Sequence, residues 1–281
     1  GSPPPKAASN CPSRPVTEMA IGLSTYAYFW RWHETASTPM RWRDLLDDCA
    51  ALGVRIFQFC DYPPLHTMTV AEAAEVGRYA AERGIALELG TRGLDTAHMH
   101  HYLDLAGATG ARLVRGMVTR PEASEAVGLL GNFLPDYEAA GVTVALETYE
   151  QVPTARLVEI VEQVGSEHLG ICLDPANSVA ALEKPTETVA TTAAYVKNLH
   201  VKDFAFSRQA GWVGFTYAGA RLGEGLLDYD GMIAAVQPER KGVNQIIEHW
   251  LVWQGDPATT ARVEAEWTSH NIDFLRRSNH V

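Results

Sequence analysis

The feature that most restricts this chain is an alternation, eight times over, of a short β-branched or apolar run with a segment of helical spacing. The runs fall at 20–25 (AIGLST), 54–60 (VRIFQFC), 85–90 (IALELG), 111–117 (ARLVRGM), 142–148 (VTVALET), 169–174 (LGICLD), 196–201 (VKNLHV) and 244–249 (NQIIEH). Between them, segments such as 41–52, 71–83 and 154–165 repeat apolar residues at three and four. Gly53, Gly84, Gly110 and Gly141 stand where a helix hands over to the next strand, the usual place of a left-handed C-cap. Eight strand–helix units in about 255 residues predict an α/β fold, a single closed (β/α)8 TIM barrel. An open doubly wound sheet is the runner-up, weakened because no GxGxxG or GxxxxGK[ST] follows an early strand. The longest stretch without a clear period, 204–227, is expected to be a long loop over the active face.

Composition narrows the function classes. Among 281 residues, Asp+Glu number 34 against Lys+Arg 23, a net charge of −11, which repels phosphate backbones and argues against a nucleic-acid partner. No run approaches the roughly 20 apolar residues of a membrane span, so no membrane partner is expected. Cys11, Cys49, Cys60 and Cys172 show no paired spacing, which predicts reduced thiols in a cytoplasmic protein. The opening GSPPPKAASNCPSRP lacks the apolar core of a secretory signal; residues 1–17 are expected to be a tail with a Gly-Ser tag remnant, and 18–281 the barrel. A homo-oligomer is compatible with this pattern.

Side chains alternate between the two faces of a strand, and that parity points to a site. With Val142, Val144 and Leu146 against the helices, Thr143, Ala145 and Glu147 face inward. With Ile171 and Leu173 outward, Gly170, Cys172 and Asp174 face inward; with Leu199 and Val201 outward, Asn198 and His200 do. In the last strand Ile246 and Glu248 share a face. Four successive strands thus end on an inward ionisable group: Glu147, Asp174, His200 and Glu248. Three carboxylates converging in a low-dielectric mouth repel one another, and one divalent metal ion resolves the conflict. Three carboxylates and an imidazole make a hard, oxygen-rich set that favours Mn2+ or Mg2+; Co2+ or Zn2+ can also occupy it. The bland alternative is a set of ion pairs closing the barrel.

These residues sit in ALE at 145–147, ICLDPANS at 171–178, NLHVKD at 198–203, RLGEGLLDY at 221–229 and IIEHW at 246–250. In them the chain resembles the sugar phosphate isomerase/epimerase family of xylose isomerase-like TIM barrels, from about residue 20 to 278. ELGTRG at 88–93 and ARLVRG at 111–116 fit more loosely. The resemblance implies metal ligands Glu147, Asp174, His200 and Glu248, with both glutamates placed to move protons. The ketose 3-epimerases and endonuclease IV-like barrels carry His three residues after the Asp, where this chain has Asn177. That departure, and the lack of further His and Asp ligands for a trinuclear zinc site, count against a DNA repair nuclease and loosen the analogy to the 3-epimerases.

Candidate substrate contacts follow. By parity Glu88 and Arg115 both point into the barrel, as a buried ion pair or as substrate contacts. Arg115 and Lys202 can hold a carboxylate or polarise a carbonyl, although Lys202 points outward unless its strand ends before it. Asn177 beside Asp174 completes the set with Trp250, which with His249 is placed on the rim. Aromatic residues 26–32 after the first strand suit a sugar pocket or plain packing. His98, His100 and His101 read as a solvated helix face. The loop with Gly223 and Gly225 is expected to fold over the substrate.

The chemistry expected is a divalent-metal-dependent isomerase or epimerase on a keto-sugar or sugar derivative, the small-molecule carbohydrate partner. Its acid and base are Glu147 and Glu248, working through an enediolate. The alternative is a metal-dependent lyase, decarboxylase or dehydratase, on a keto-sugar acid, to which Arg92 and Arg115 lend positive charge. A third class is a metal-bearing sugar-binding or regulatory barrel without turnover. No phosphate-binding glycine loop is evident at the last two strands, so a non-phosphorylated substrate is expected.

Overall fold

The computed structural model describes residues 19–280. The expected tail over 1–17, and Cys11 within it, lie outside the described residues. Eight parallel strands close into the expected barrel: β1 (Ile21–Ser24), β2 (Ile56–Cys60), β3 (Ala86–Gly90), β4 (Leu113–Gly116), β5 (Thr143–Glu147), β6 (Leu169–Leu173), β7 (Val196–Val201) and, after the hairpin strands β8 (Asp203–Arg208) and β9 (Phe215–Ala220), β10 (Gln245–Ile247). The order around the barrel is β1-β10-β7-β6-β5-β4-β3-β2. Each stave is followed by a main helix: α1 (Trp42–Ala51), α2 (Val70–Glu82), α3 (Thr96–Thr109), α4 (Ala126–Ala140), α5 (Thr154–Val164), α6 (Pro185–Thr192), α7 (Tyr229–Val236) and α8 (Pro257–Asn279). Among the described residues no helix is long and apolar enough to cross a membrane.

The helix ends carry the signals their sequences suggest. Thr69 closes a capping box with Glu72, and Asp95 and Asp256 accept backbone N–H groups at the starts of α3 and α8. Gly53, Gly84, Gly110 and Gly141 all have positive φ, as their C-terminal places require. The main core lies between staves and helices, where Leu23, Phe57, Leu89, Val144, Ile171 and Leu199 are buried. The barrel interior is polar below its mouth. Glu88 accepts from Gln58 Nε2 at 3.0 Å, Asn198 Nδ2 at 3.0 Å and Asn244 Nδ2 at 2.7 Å. Burial pushes the Glu88 carboxyl up against those amides.

Two expectations are corrected. Segment 204–227 is not an irregular loop: its first half is an antiparallel hairpin pairing Asp203–Arg208 with Phe215–Ala220. The period-two spacing of Phe204 and Phe206, then Phe215 and Tyr217, around a glycine-bearing turn was the available signal. Nor does the glycine loop that follows close over the cavity. Gly223 and Gly225 donate to Asp203 Oδ2 at 3.0 and 2.9 Å, while Phe204 and Leu227 donate to Oδ1 at 2.8 and 3.0 Å. Gly223 has φ +85°, and a Cβ on Gly225 would collide with the Asp203 carboxylate. These glycines bring backbone amides onto a buried carboxylate, and the loop is an anchor.

Asp203→Ala strands four N–H groups, and at about 1.5–3 kcal/mol for a hydrogen bond to a charged group, less what water recovers, a loss of about 3 kcal/mol is expected. Urea unfolding should show a lower midpoint at unchanged slope. A loss below about 1 kcal/mol would mean the loop is held by other contacts.

Candidate metal centre

The four inward groups meet at the carboxyl ends of their strands. Glu147 closes β5, His200 is the penultimate residue of β7, and Asp174 and Glu248 follow β6 and β10 by one residue. One ligand atom from each lies within 4.8 Å of all the others, and none of the four residues is more than 4% exposed. His200 Nδ1 is the hub: it stands 3.3 Å from Glu147 Oε1, 3.4 Å from Glu248 Oε2 and 3.9 Å from Asp174 Oδ2.

Surrounding donors set each group's orientation. Asn177 Nδ2 donates to Glu147 Oε1 at 2.9 Å, and Ser24 Oγ to Glu248 Oε1 at 2.9 Å. Asp174 Oδ1 caps the short helix Pro175–Val179 by accepting from the Ala176 and Asn177 amides, which leaves Oδ2 facing the hub. The imidazole is fixed from below. Gln58 spends its Nε2 on Glu88 and on Asn198 Oδ1, so its Oε1 is the atom that meets His200 Nε2 at 2.7 Å. An amide oxygen there demands an N–H on Nε2 and leaves the neutral ring's Nδ1 lone pair aimed at three carboxylates. Nδ1 is buried without a hydrogen-bond partner. A lone pair and three anionic oxygens around one point fit a divalent cation.

The electrostatics agree. Burial opposes charge on His200, yet Cys172, Glu248 and Glu147 outweigh it and push the imidazole well up, so the site draws positive charge to the hub. Burial alone would raise Glu147, but Arg115, His200 and Lys202 hold it well below the usual carboxylate range. Burial pushes Asp174 up to about 6; Lys202 opposes this, and Glu147 and Glu248 add to it.

The substrate candidates divide. Arg115, Asn177, Lys202 and Trp250 line a cavity of about 220 Å³ together with Glu147 and Glu248. Lys202 turns inward because β7 ends at Val201; its Nζ lies 2.8 Å from Asp174 Oδ2, 3.3 Å from Glu248 Oε2 and 4.2 Å from the Trp250 ring centre. Glu88 lies a layer deeper, and the Glu88–Arg115 ion pair is not made: Arg115 pairs with Glu147 at 2.9 Å and with Asp61 at 2.7 Å. His249 is not on the rim but buried against Trp267 and Asn271. The ring nitrogens of His98, His100 and His101 serve Thr91, Asp136 and the His66 carbonyl separately. Cys49, Cys60 and Cys172 are free thiols. Sequence reasoning missed Ser24 at the end of β1, Gln58 in the middle of β2 and Asp61 just after it, and singled out Tyr26 only among the aromatics. A larger apolar groove of about 580 Å³, between the hairpin and α6–α7, brings no ligating groups together.

Comparisons with known proteins agree with the barrel fold. A family profile described as xylose isomerase-like TIM barrel matches residues 46–277. The chain is 46% identical over 274 residues, 94% of its length and all of the relative's, to a 3-oxo-isoapionate decarboxylase of Pectobacterium atrosepticum. Among solved structures, it resembles a xylose isomerase-like TIM barrel protein from Mycobacterium smegmatis in complex with magnesium, with TM-score 0.68 at 16% identity, covering 90% of this chain and 97% of that one. It also resembles a D-psicose 3-epimerase, with TM-score 0.69 at 13% identity, covering 92% and 98%.

A cation needs the Asp174 carboxylate ionised, and in the metal-free protein a proton competes below about pH 6. Calorimetric titration should show Mn2+ affinity falling at least tenfold from pH 7.5 to pH 5, since the proton that the site draws onto His200 must leave as well; equal affinity at both would exclude Asp174 as a ligand. Gln58→Met removes the acceptor that fixes the tautomer and should weaken metal binding about 10–100-fold with the barrel intact. Unchanged binding would remove Gln58 from that role.

Proposed function

The chain belongs to the xylose isomerase-like TIM barrel family, and from that premise we propose that it is a divalent-metal-dependent lyase removing CO2 from a 3-oxo sugar acid. The observation that carries this reading is the likeness, along nearly the whole chain, to a named 3-oxo acid decarboxylase. The pocket supports it, since Arg92, Arg115 and Lys202 line one small cavity with Glu147 and Glu248. Glu147, Asp174, His200 and Glu248 would hold the metal, Mn2+ or Mg2+ by donor type.

Loss of CO2 from a β-keto acid leaves an electron pair that the neighbouring carbonyl takes up as an enolate oxygen. The metal, when bound, supplies Lewis-acid polarisation of that carbonyl. Lys202 adds positive charge beside it. Burial lowers the Lys202 pKa, but Asp174, Glu248 and Glu147 outweigh it, and the ammonium stays charged. The carbon that loses CO2 then needs a proton. Glu147, held ionised by Arg115, is a poor acid. Lys202 holds a proton at neutral pH, and it is the proposed donor, reloading from solvent. Trp250 packs under the ammonium and limits its motion.

The isomerase or epimerase outcome is the second reading. It needs a base to take a C–H proton, and the ionised Glu147 is in the right form.

Incubation of the Mn2+-loaded protein with 3-oxo-isoapionate should release CO2 and, in D2O, place one deuterium on the carbon that carried it. Exchange without CO2 loss would sink the lyase and favour the epimerase. Lys202→Met should lower kcat about 10²–10⁴-fold with metal stoichiometry unchanged; near-normal kcat would remove Lys202 as the donor.

A further inference from the structure

Two guanidinium groups and a phenol meet on a single oxygen at the cavity's edge. Asp61 Oδ2 lies 2.7 Å from Arg115 Nη2, 3.0 Å from Arg92 Nε and 2.9 Å from Tyr26 Oη, and Arg92 Nη2 in turn donates to Tyr26 Oη at 3.0 Å. Asp61 comes directly after β2 with φ +47°, a left-handed turn that residues other than glycine enter reluctantly. Such a conformation, held beside a cavity, asks for a reason.

The two arginines are in different states. Arg115 is 1% exposed and committed: Nε to Glu147 Oε2, Nη1 to the Thr91 carbonyl, Nη2 to Asp61. The Arg92 side chain is 61% exposed and uses only its Nε/Nη2 edge, on Asp61 and Tyr26. Its Nη1 has no acceptor among the described residues, and the residue lines the cavity. Arg115 and Lys202 are buried, so Arg92 is the exposed cation of the cavity lining, and Glu150, on the outer rim, is exposed and makes no ion pair among the described residues.

Resting on the reading of the site as that of a 3-oxo acid lyase, we propose that Arg92 docks the substrate's carboxylate, with Asp61 and Tyr26 as positioning residues that turn its free Nη1/Nη2 edge to the cavity. That edge matches a planar carboxylate, which can take two parallel N–H bonds, whereas a sugar hydroxyl takes one weaker bond. The subsite therefore selects an acid over the neutral ketose of the same length. Because Arg92 is open to water on its outer side, its hold on the carboxylate is moderate, and departure as CO2 breaks no fully desolvated ion pair.

Erythronate and erythritol, one four-carbon chain with and without a terminal carboxylate, are suitable probes by calorimetry on the Mn2+-loaded protein, beside kcat and KM for 3-oxo-isoapionate. Wild type should prefer erythronate. Arg92→Met should abolish that preference and raise KM for the acid about 10–100-fold with kcat within about threefold, and Arg92→Lys should fall between. Asp61→Asn should raise KM less, about 3–10-fold, with metal stoichiometry unchanged. A preference for erythronate that survives Arg92→Met, as chelation through its own 2-hydroxyl would give, or a KM within twofold of wild type, overturns the proposal. Wild type that releases no CO2 yet shows an Arg92-dependent preference for erythronate retires the lyase reading and leaves the subsite standing.

Discussion

Glu147, Asp174 and Glu248 each bring a carboxylate oxygen within 3.9 Å of one imidazole nitrogen, in a barrel mouth that water scarcely reaches. Two like charges 4 Å apart at an effective dielectric of 20 repel by about 4 kcal/mol, so three anions in this space demand compensation. The protein supplies part of it. Arg115 approaches from the β4 side and Lys202 from β7, and Ser24, Asn177 and two helix-start amides fill the outer lone pairs. What remains is a central point bounded by oxygens and by a nitrogen lone pair held there by Gln58. A dication completes that balance, and the cavity's charge pattern makes sense once it is counted.

The interior below the mouth serves the same end. Glu88, Asn198 and Asn244 form a polar layer that fixes the orientation of the Gln58 amide. The amide then decides which imidazole nitrogen carries the proton, so a carboxylate a layer below the ligands helps define their chemistry. Asp203, cradled by four amides, ties the hairpin to the glycine loop beside β7. Tyr217 on that hairpin reaches the Ala176 carbonyl and packs its edge on Trp250, the ring beneath Lys202.

Strand parity was enough to bring Glu147, Asp174, His200 and Glu248 together, because alternation is a local rule and each strand ends close to its ionisable group. Parity also put Arg115 inside. It failed at Lys202, whose direction depends on where β7 stops and β8 begins, which pairing with β9 decides. It could not choose partners either: Glu88 and Arg115 share a face but lie at different depths, and the residues between them in space come from β2 and β7. Asp61 was illegible for a related reason. Its part rests on contacts with Tyr26, Arg92 and Arg115, which three different staves deliver. The hairpin was hidden by the polar and glycine residues that interrupt its alternation, and His249 by parity opposite to Glu248.

The central claim is that the hub beside His200 Nδ1 is a cation site, with Lys202 at its edge. Diffraction from crystals soaked in Mn2+, collected on both sides of the manganese absorption edge, tests it directly. The account predicts one anomalous peak per chain, within coordination distance of His200 Nδ1, Glu147, Asp174 and Glu248. No peak there at saturating Mn2+, with the Lys202 ammonium occupying the hub instead, would contradict it.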